Sequence, residues 1–429
     1  MERLTHFNPG RRPALISCID DVVERAREAA AWLAAAPTEL KNRALTAMAD
    51  ELSGSASAIF EANLRDLSRA QDAGLPGAFV KRLTVSETKL ASMVSGLRNV
   101  ACLADPVGQV MESWTRPNGL LIRKVSVPFG VVGIIYESRP DVTSDAAALC
   151  FKSGNAAVLR GGSESRETNL AIVAALQQGL VNAGAPAACI QYVVDPDRSA
   201  LNRMLKMRGK IDLLIPRGGE SLIKAVVENA SVPVIETGTG NCHIYVHEGA
   251  DLDMAVAVIL NAKCSYPAVC NAVETVLVDA RVAERILPLL AESLQSHGVE
   301  IRGCERTHAI IPSVTLAEES DWETEYLDLT LAVKIVDGFD QAVRHIGRYG
   351  TKHSEAIITR NEETAARFQR VVDAACVYVN ASTRFTDGGQ FGFGAEIGIS
   401  TQKLHARGPM GLRELNTYKY VIDGAGQVL

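Results

Sequence analysis

Apolar residues recur at helical spacing through the first hundred residues. Steps of three and four positions place such residues on one face of a helix. Their small side chains suit close packing onto another layer. The pattern predicts helices that serve as scaffold, and the clearest series are Val22, Val23, Ala26, Ala29, Ala30, Leu33 and then Leu45, Met48, Leu52.

A hairpin signal follows near residue 113. Asn118-Gly119 lies between two strand-like flanks, and Asn-Gly is the dipeptide that two-residue hairpin turns favour. The basic residues Arg123 and Lys124 come directly after it. The segment therefore predicts an exposed ribbon rather than a core strand.

From residue 130 onward, short apolar runs alternate with helical segments such as 168–180. Continuous Val, Ile and Leu runs bounded by turn residues are typical of strands that are buried on both faces of a parallel sheet. Two sets of such runs predict an α/β fold with two parallel-sheet domains and a cleft between them. The runs are 131–135, 156–159, 192–194, 211–215 and 232–235, then 275–278, 332–336, 355–358 and 376–379.

Charge and hydropathy exclude several classes of partner. The formal net charge of −6 argues against a nucleic acid or an anionic membrane surface. No apolar run reaches the length of roughly 18 residues that a membrane-spanning helix needs, and the N-terminal segment lacks the features of a secretory signal. If the substrate is anionic, local arginines have to meet its charge.

Nine cysteines occur, without a CxxC pair. An odd number in a long chain predicts neither a disulfide framework nor a zinc cluster, and His243, His353 and His405 show no metal-ligand spacing, so no metal is expected. Most of these thiols should be buried apolar groups. Cys270 differs, because Pro267 precedes it and a strand follows at 275–278, which predicts an exposed turn.

Glycine follows three predicted strands, at Gly161-Gly162, Gly218-Gly219 and Gly238-Thr239-Gly240. Such turns let backbone N–H groups approach a phosphate at a helix start, although a purely structural turn remains an alternative at each place. Neither GxxxxGK[ST] nor GxGxxG in a strand–helix context is present. Arg160, with Ser163 where an acid would otherwise stand, favours a 2′-phosphorylated nicotinamide nucleotide over a free hydroxyl; a surface arginine is the alternative.

Longer motifs carry a specific resemblance. Asn-Ala-Lys at 261–263 followed by Cys-Asn-Ala-Val-Glu-Thr at 270–275 resembles the nucleophile region of the gamma-glutamyl phosphate reductase family, within the aldehyde dehydrogenase superfamily. The likeness extends over about residues 10–425. The other matching segments are 127–140, 152–162, 215–219, 236–243, 380–389, 394–400 and 405–411.

The resemblance implies a reaction and a setting. The expected reaction is the NADPH-dependent reduction of L-glutamyl 5-phosphate to L-glutamate 5-semialdehyde, with release of phosphate through a cysteine thioacyl intermediate, in L-proline biosynthesis. A cytoplasmic homo-oligomer is expected, with channelling from the upstream glutamate kinase as a further expectation. A hydrolytic aldehyde dehydrogenase of the same fold and a catalytically inactive homologue that acts as a binding protein are the alternatives.

The resemblance also implies the domains of an aldehyde-dehydrogenase-like fold. Residues 1–110 and 129–240 would form the NADP-binding domain, and residues 241–379 the catalytic domain with the nucleophile. Residues 111–128 and 380–429 would form an oligomerisation ribbon and a C-terminal segment, with a strand at 414–422.

Site residues follow from the same resemblance. Cys270 would be the nucleophile, and Glu236 stands 34 residues before it, the superfamily's spacing for a general base. No match exists for the superfamily's oxyanion asparagine, so the backbone N–H of Cys270 is the expected donor. The cofactor residues would be Arg160, Gly161, Gly162, Ser163, Gly218, Gly219 and Glu325, and the substrate residues would be Arg139, Ser382, Thr383, Arg384 and Arg407, since guanidinium groups pair with carboxylate and phosphate.

Overall fold

The computed structural model describes residues 18–429, and the first 17 residues of the predicted NADP-binding domain lie outside that range. The chain divides into two compact units. The described part of the first comprises residues 18–236, Gly392–Gly398 and Met410–Leu429. The second comprises Thr237–Phe391 and Ile399–Pro409.

The bounds of the elements are as follows. The α-helices are α1 Ile19–Leu33, α2 Thr38–Gly54, α3 Ala56–Asp72, α4 Gly77–Leu83, α5 Glu87–Cys102, α6 Pro140–Lys152, α7 Arg166–Asn182, α8 Arg198–Leu205, α9 Glu220–Asn229, α10 Leu252–Cys264, α11 Ala280–Ser296, α12 Glu305–Ile310, α13 Phe339–Tyr349 and α14 Glu362–Val371. The strands are β1 Val110–Thr115, β2 Leu121–Pro128, β3 Val131–Tyr136, β4 Ala156–Arg160, β5 Ile190–Tyr192, β6 Leu213–Arg217, β7 Cys242–Val246, β8 Val273–Asp279, β9 Glu300–Gly303, β10 Thr315–Leu316, β11 Thr330–Val336, β12 Ser354–Ile358, β13 Cys376–Val379, β14 Ile399–Ser400, β15 Gly408–Pro409 and β16 Asn416–Asp423.

The first unit is built on a parallel sheet in the order β5-β4-β3-β6. Helix α1 buries its apolar face against this sheet, which confirms the predicted scaffold helix and the first four predicted strands within a few residues. The expected strand at 232–235 is wrong. Only one bridge forms there, between Leu214 and Val234, because Pro233 has no N–H to donate to a ladder.

The predicted ribbon is a three-stranded antiparallel sheet in the order β1-β2-β16. Gly119 has a φ of 88° in the turn between β1 and β2, and its N–H donates to the carbonyl of Arg116 at 2.9 Å. Positive φ suits glycine, so the Asn-Gly signal has a direct structural cause. Every residue of β1 is exposed, as the basic flank indicated.

The second unit holds a parallel seven-stranded sheet in the order β10-β9-β11-β8-β7-β12-β13. The four predicted strands of this set are confirmed. The pattern missed β7, β9 and β10. In β7 the polar residues His243 and Tyr245 interrupt the apolar residues, although all five residues of the strand are buried. Residues 380–391 also lie in this unit, and Thr237 bridges Ser400 of β14 within it, whereas the predicted boundaries grouped 380–429 together.

No helix within residues 18–429 is long and apolar enough to cross a bilayer.

Candidate active site

Cys270 lies in the loop of residues 265–272, between the end of α10 and the start of β8. The thiol residue is partly exposed, as the sequence predicted for a turn after Pro267. We call residues 265–272 the cysteine loop. Helix α10 ends because its apolar series stops at Cys264 and Pro267 follows, a residue that cannot continue a helix.

The backbone of Cys270 is held from one side by the start of β7. The Cys242 thiol donates to the carbonyl oxygen of Cys270 at 3.2 Å. Gly240 packs so closely that a Cβ atom there would stand 1.4 Å from the same oxygen. Glycine at 240 is therefore required by close approach of two backbones, and this is the physical meaning of the third glycine turn.

Asn271, the residue after the thiol, is tied to a short 3₁₀ turn at Thr383–Phe385. Its side-chain amide donates to the carbonyl oxygens of Thr386 at 2.8 Å and Arg384 at 3.3 Å. The Thr383 hydroxyl, fully buried, donates in return to the Asn271 carbonyl at 2.7 Å. Both amide hydrogens of Asn271 are thus engaged, so this side chain shapes the loop. Sequence reasoning gave it no role, although it stands inside the motif.

Arg384 lies along the cysteine loop. Its guanidinium donates to the side-chain oxygen of Asn271 and, through Nε, to the Ser265 hydroxyl at 3.2 Å. The Ser382 hydroxyl accepts the backbone N–H of Arg384 at 3.3 Å and fixes the turn. The structure therefore brings Ser382, Thr383 and Arg384 together with Cys270 in one unit.

The other two predicted arginines have different surroundings. Arg407 forms an ion pair with Asp373 at 2.8 Å, and Lys403 pairs with the same carboxylate at 2.9 Å. Hydrogen bonds from Lys403 and Arg407 hold the pKa of Asp373 below its ordinary value. Two guanidinium nitrogens of Arg407 are buried without a hydrogen-bond partner in the described part of the chain. Arg139 is exposed in the first unit, directly before α6.

The two predicted glutamates also differ in setting. The Glu325 carboxylate accepts the N–H of Gly240 at 2.7 Å, so this side chain contacts the backbone that packs on Cys270. Glu236 is the last residue of the first unit before the chain enters the second, and it is half-buried.

A buried histidine group lies behind β7. The Glu355 carboxylate accepts the backbone N–H of His243 at 2.8 Å, and its contact with the ring Nδ1 is 3.1 Å. Burial lowers the pKa of His345 to about 2 and that of His353 to about 4, so both rings are neutral near pH 7. No cluster of three metal-ligating side chains occurs among residues 18–429.

Arg160 ends β4 in the first unit, next to Gly161 and Gly162. Its guanidinium donates to the carbonyl oxygens of Pro196 and Asp197 at 3.1 and 3.0 Å, while its buried Nε has no partner among the described residues. A Cβ at Gly161 would lie 2.2 Å from the Asn169 side chain. Ser163 is exposed at the start of the next 3₁₀ turn.

The Gly218-Gly219 turn binds the carboxylate of Glu137, a residue of the same unit. The N–H of Gly219 donates to Glu137 at 3.1 Å, and a Cβ at Gly218 would lie 2.6 Å from the same carboxyl group. The anion at the start of α9 is therefore Glu137, a residue to which the sequence assigned no role.

Comparisons with known proteins agree with this architecture. Residues 15–314 match the model of the aldehyde dehydrogenase family. Gamma-glutamyl phosphate reductases of Caldanaerobacter subterraneus subsp. tengcongensis and Moorella thermoacetica are each 57% identical over 405 residues, which is 94% of this chain and 98% and 97% of theirs. The crystal structure of gamma-glutamyl phosphate reductase from Thermotoga maritima superposes with a TM-score of 0.94 at 49% identity, covering 96% of this chain and 99% of that one.

The match covers more than half of the chain, and the chain belongs to the aldehyde dehydrogenase family. Its relatives place it more closely, among the gamma-glutamyl phosphate reductases, and it is accordingly an oxidoreductase. Enzymes of this family use a nicotinamide dinucleotide.

Proposed function

We propose that the chain reduces L-glutamyl 5-phosphate to L-glutamate 5-semialdehyde, with NADPH as hydride donor and with release of phosphate, in L-proline biosynthesis. The observation that carries this proposal is the pairing of the cysteine loop with Arg384, which sets a thiol and a guanidinium in the same unit. The names of the relatives support the choice of substrate.

In this mechanism the Cys270 sulfur attacks the γ-acyl carbon as a thiolate. The C–S bond forms, the bond from the acyl carbon to the phosphate oxygen breaks, and phosphate leaves with the electron pair. Phosphate is a good leaving group and needs little help from an acid. The backbone N–H of Cys270 is the expected donor to the oxyanion. Since Asn271 is engaged by backbone carbonyls, it does not serve as the side-chain donor.

We assign Arg384 to an anionic group of the substrate. Its guanidinium is anchored to Asn271 and Ser265, so an anion bound there would sit beside the thiol. Ser382 and Thr383 then act by fixing the turn. Arg139 and Arg407 stay proposals for the substrate's other anionic group, with Arg407 the better supported because part of its buried guanidinium lacks a partner in residues 18–429.

The residues of the first unit fit an NADP phosphate. Arg160 has a buried guanidinium Nε with no partner in the described chain, and Gly161 and Gly162 bring the backbone close to Asn169 and Glu164, where an added side chain would collide. Arg160, Ser163 and the two glycines would hold the 2′-phosphate end, and Glu325 would contact the nicotinamide ribose. Gly218 and Gly219 would hold the diphosphate once Glu137 releases the N–H of Gly219. When bound, the reduced cofactor would supply a hydride to the thioacyl carbon. The C–S bond would then break, and the Cys270 sulfur would leave with the electron pair as a thiolate while the aldehyde forms.

Glu236 has a weaker role in this reaction than in hydrolytic relatives. A base that activates water would hydrolyse the thioacyl enzyme to glutamate. In the proposed reaction the acyl acceptor is phosphate, which attacks the thioacyl enzyme in the reverse direction, so no activated water is needed. We therefore propose Glu236 as a site residue and not as an essential base.

We also propose that the protein is a cytoplasmic homo-oligomer that associates through its ribbon. Aromatic and aliphatic side chains stay exposed on these strands, and apolar exposure of this kind marks association surfaces. They are Val110, Met111 and Trp114 of β1 and Tyr418, Tyr420 and Ile422 of β16. Light scattering on Tyr420→Glu should give a smaller particle than wild type, and an unchanged mass would contradict the assignment.

Substitution of the nucleophile tests the proposed chemistry. Cys270→Ala should abolish turnover while NADPH still binds, because the covalent step is lost and the cofactor residues are untouched. The matched control is Cys264→Ala, a partly exposed thiol at the end of α10. NADPH formation measures turnover, and fluorescence titration measures NADPH binding. Turnover by the Cys270→Ala enzyme would refute the mechanism.

A further inference from the structure

A buried ion pair spans the base of the cysteine loop. Lys263 stands one residue before the end of α10, and Glu274 is the second residue of β8. The Lys263 ammonium contacts one carboxylate oxygen of Glu274, and both side chains are fully buried. The loop that carries Cys270 is therefore closed at both ends by one charged contact.

Glu274 also fixes a second segment. Its other carboxylate oxygen accepts the N–H of Leu327 at 3.3 Å. Leu327 has a φ of 55°, a conformation that non-glycine residues adopt only where their surroundings impose it. Two residues earlier, Glu325 accepts the N–H of Gly240 at 2.7 Å, and Gly240 packs against the Cys270 carbonyl. Contacts thus run from Glu274 through this segment back to the thiol residue.

Energetics indicate what such a pair contributes. Removing two charges from water costs about as much as their attraction returns, so an apolar pair of similar volume would stabilise the fold as well. Burial raises the pKa of Glu274 and lowers that of Lys263, which reflects this cost. What an apolar pair cannot supply is direction, because hydrogen bonds fix distances and angles where apolar contacts do not.

We propose that Lys263 and Glu274 are positioning residues that fix the position and orientation of the Cys270 thiol. They do so by closing the cysteine loop and by holding residues 325–327, and through them Gly240, against that loop. The proposal rests on the nucleophilic role of Cys270 proposed above. Both side chains are fully buried and bond to each other and, through Glu274, to the Leu327 N–H, so we assign them a positioning role.

The test compares this pair with a matched one elsewhere. Lys263→Met/Glu274→Gln removes both charges and keeps an acceptor for Leu327. The control is Lys41→Met/Asp105→Asn, which removes a pair of similar burial in the first unit. For each variant we would measure the thermal midpoint, kcat and KM, and the pH profile of Cys270 alkylation by iodoacetamide, read from the modified peptide.

Lys263→Met/Glu274→Gln should remain folded, with kcat lowered by about 100-fold, the effect of misplacing a reacting group by roughly 1 Å, and with a displaced alkylation profile. The control should keep kcat and the alkylation profile of wild type. Wild-type kcat and profile in the first variant, or equal losses in the control, would overturn the proposal.

If Lys263→Met/Glu274→Gln does not fold, Glu274→Asp provides a second test. This variant keeps the charge but withdraws the carboxylate by one methylene, so it cannot reach both Lys263 and Leu327 without a shift. Lowered kcat in the folded Asp variant supports positioning, and wild-type kcat overturns it. Alkylation of Cys270 by iodoacetamide does not require turnover of the substrate. The alkylation profiles of the variants and of wild type therefore test the positioning role even if Cys270→Ala proves active and the proposed function fails.

Discussion

At the scale of single residues, the turn pattern singled out Cys270, and the family resemblance added Thr383, Arg384 and Glu325; neither gave a role to Asn271 or Glu274. A thiol after a proline and before a strand can be recognised from neighbours in the chain. Neighbours in the chain do not reveal its partners, because Gly240, Asn271 and Arg384 come together only when the start of β7 and residues 382–386 fold beside the cysteine loop. Glu325 and Glu274 likewise acquire their contacts through tertiary packing.

Arg384→Ala should weaken use of the anionic substrate. Charge-assisted hydrogen bonds contribute about 1.5–3 kcal/mol, so kcat/KM should fall roughly 10- to 100-fold, with NADP binding unchanged. Steady-state kinetics with varied phosphate and aldehyde measure this. Arg348→Ala, at an exposed arginine of the same unit paired with Glu319, should keep wild-type values. Native kcat/KM in Arg384→Ala would exclude the assigned role.

His345→Phe should change how stability depends on pH. His345 packs between the rings of Trp322 and Tyr349, and burial lowers its pKa to about 2 from an ordinary 6.5. The unfolded chain therefore binds a proton below pH 6.5 that the folded chain does not, so wild type loses stability as pH falls through 6.5.

Phenylalanine keeps a ring and removes this proton. Relative to wild type, His345→Phe should gain about 2 kcal/mol in free energy of unfolding between pH 7.5 and pH 5. Urea unfolding at both pH values measures the gain. A difference that stays constant with pH would show that His345 is not held neutral.

At the scale of elements, the apolar runs predicted most of both parallel sheets and the Asn-Gly signal predicted the ribbon. Two of the failures share one cause, which is that a polar residue or a proline changes the hydrophobic pattern of the segment. His243 hides β7, because a histidine in an apolar run looks like a surface position, whereas in the fold Glu355 accepts its backbone N–H and contacts its ring Nδ1. Pro233 removes a donor from a run that otherwise looks like a strand.

Gly240→Ala should displace the start of β7 or the cysteine loop and thereby disturb the site. The added Cβ would overlap the Cys270 carbonyl, so β7 or the cysteine loop has to move. We expect a loss of about 1–3 kcal/mol in unfolding free energy together with a large fall in kcat. Gly347→Ala, inside α13 with no atom within 4 Å of the added Cβ, should instead be neutral or stabilise by up to about 1 kcal/mol. Denaturation and kinetics on both variants compare them, and wild-type activity in Gly240→Ala would contradict the close-approach account.

At the scale of the whole molecule, the division into two units is interlaced along the chain. Residues 392–398 and 410–429 return to the first unit, whereas 399–409 belong to the second. Periodicity cannot predict such returns, because the segments after residue 380 have little regular structure to reveal them. The long motifs predicted the fold class as a whole, which the family match confirms.

We propose above all that this enzyme acts on an acyl phosphate through a thioacyl cysteine. The most direct measurement is NADPH formation from glutamate 5-semialdehyde and NADP, with and without inorganic phosphate. Turnover should require phosphate, since phosphate must take the acyl group from Cys270 in the reverse direction. Turnover at a similar rate without phosphate would contradict it and would identify a hydrolytic dehydrogenase instead.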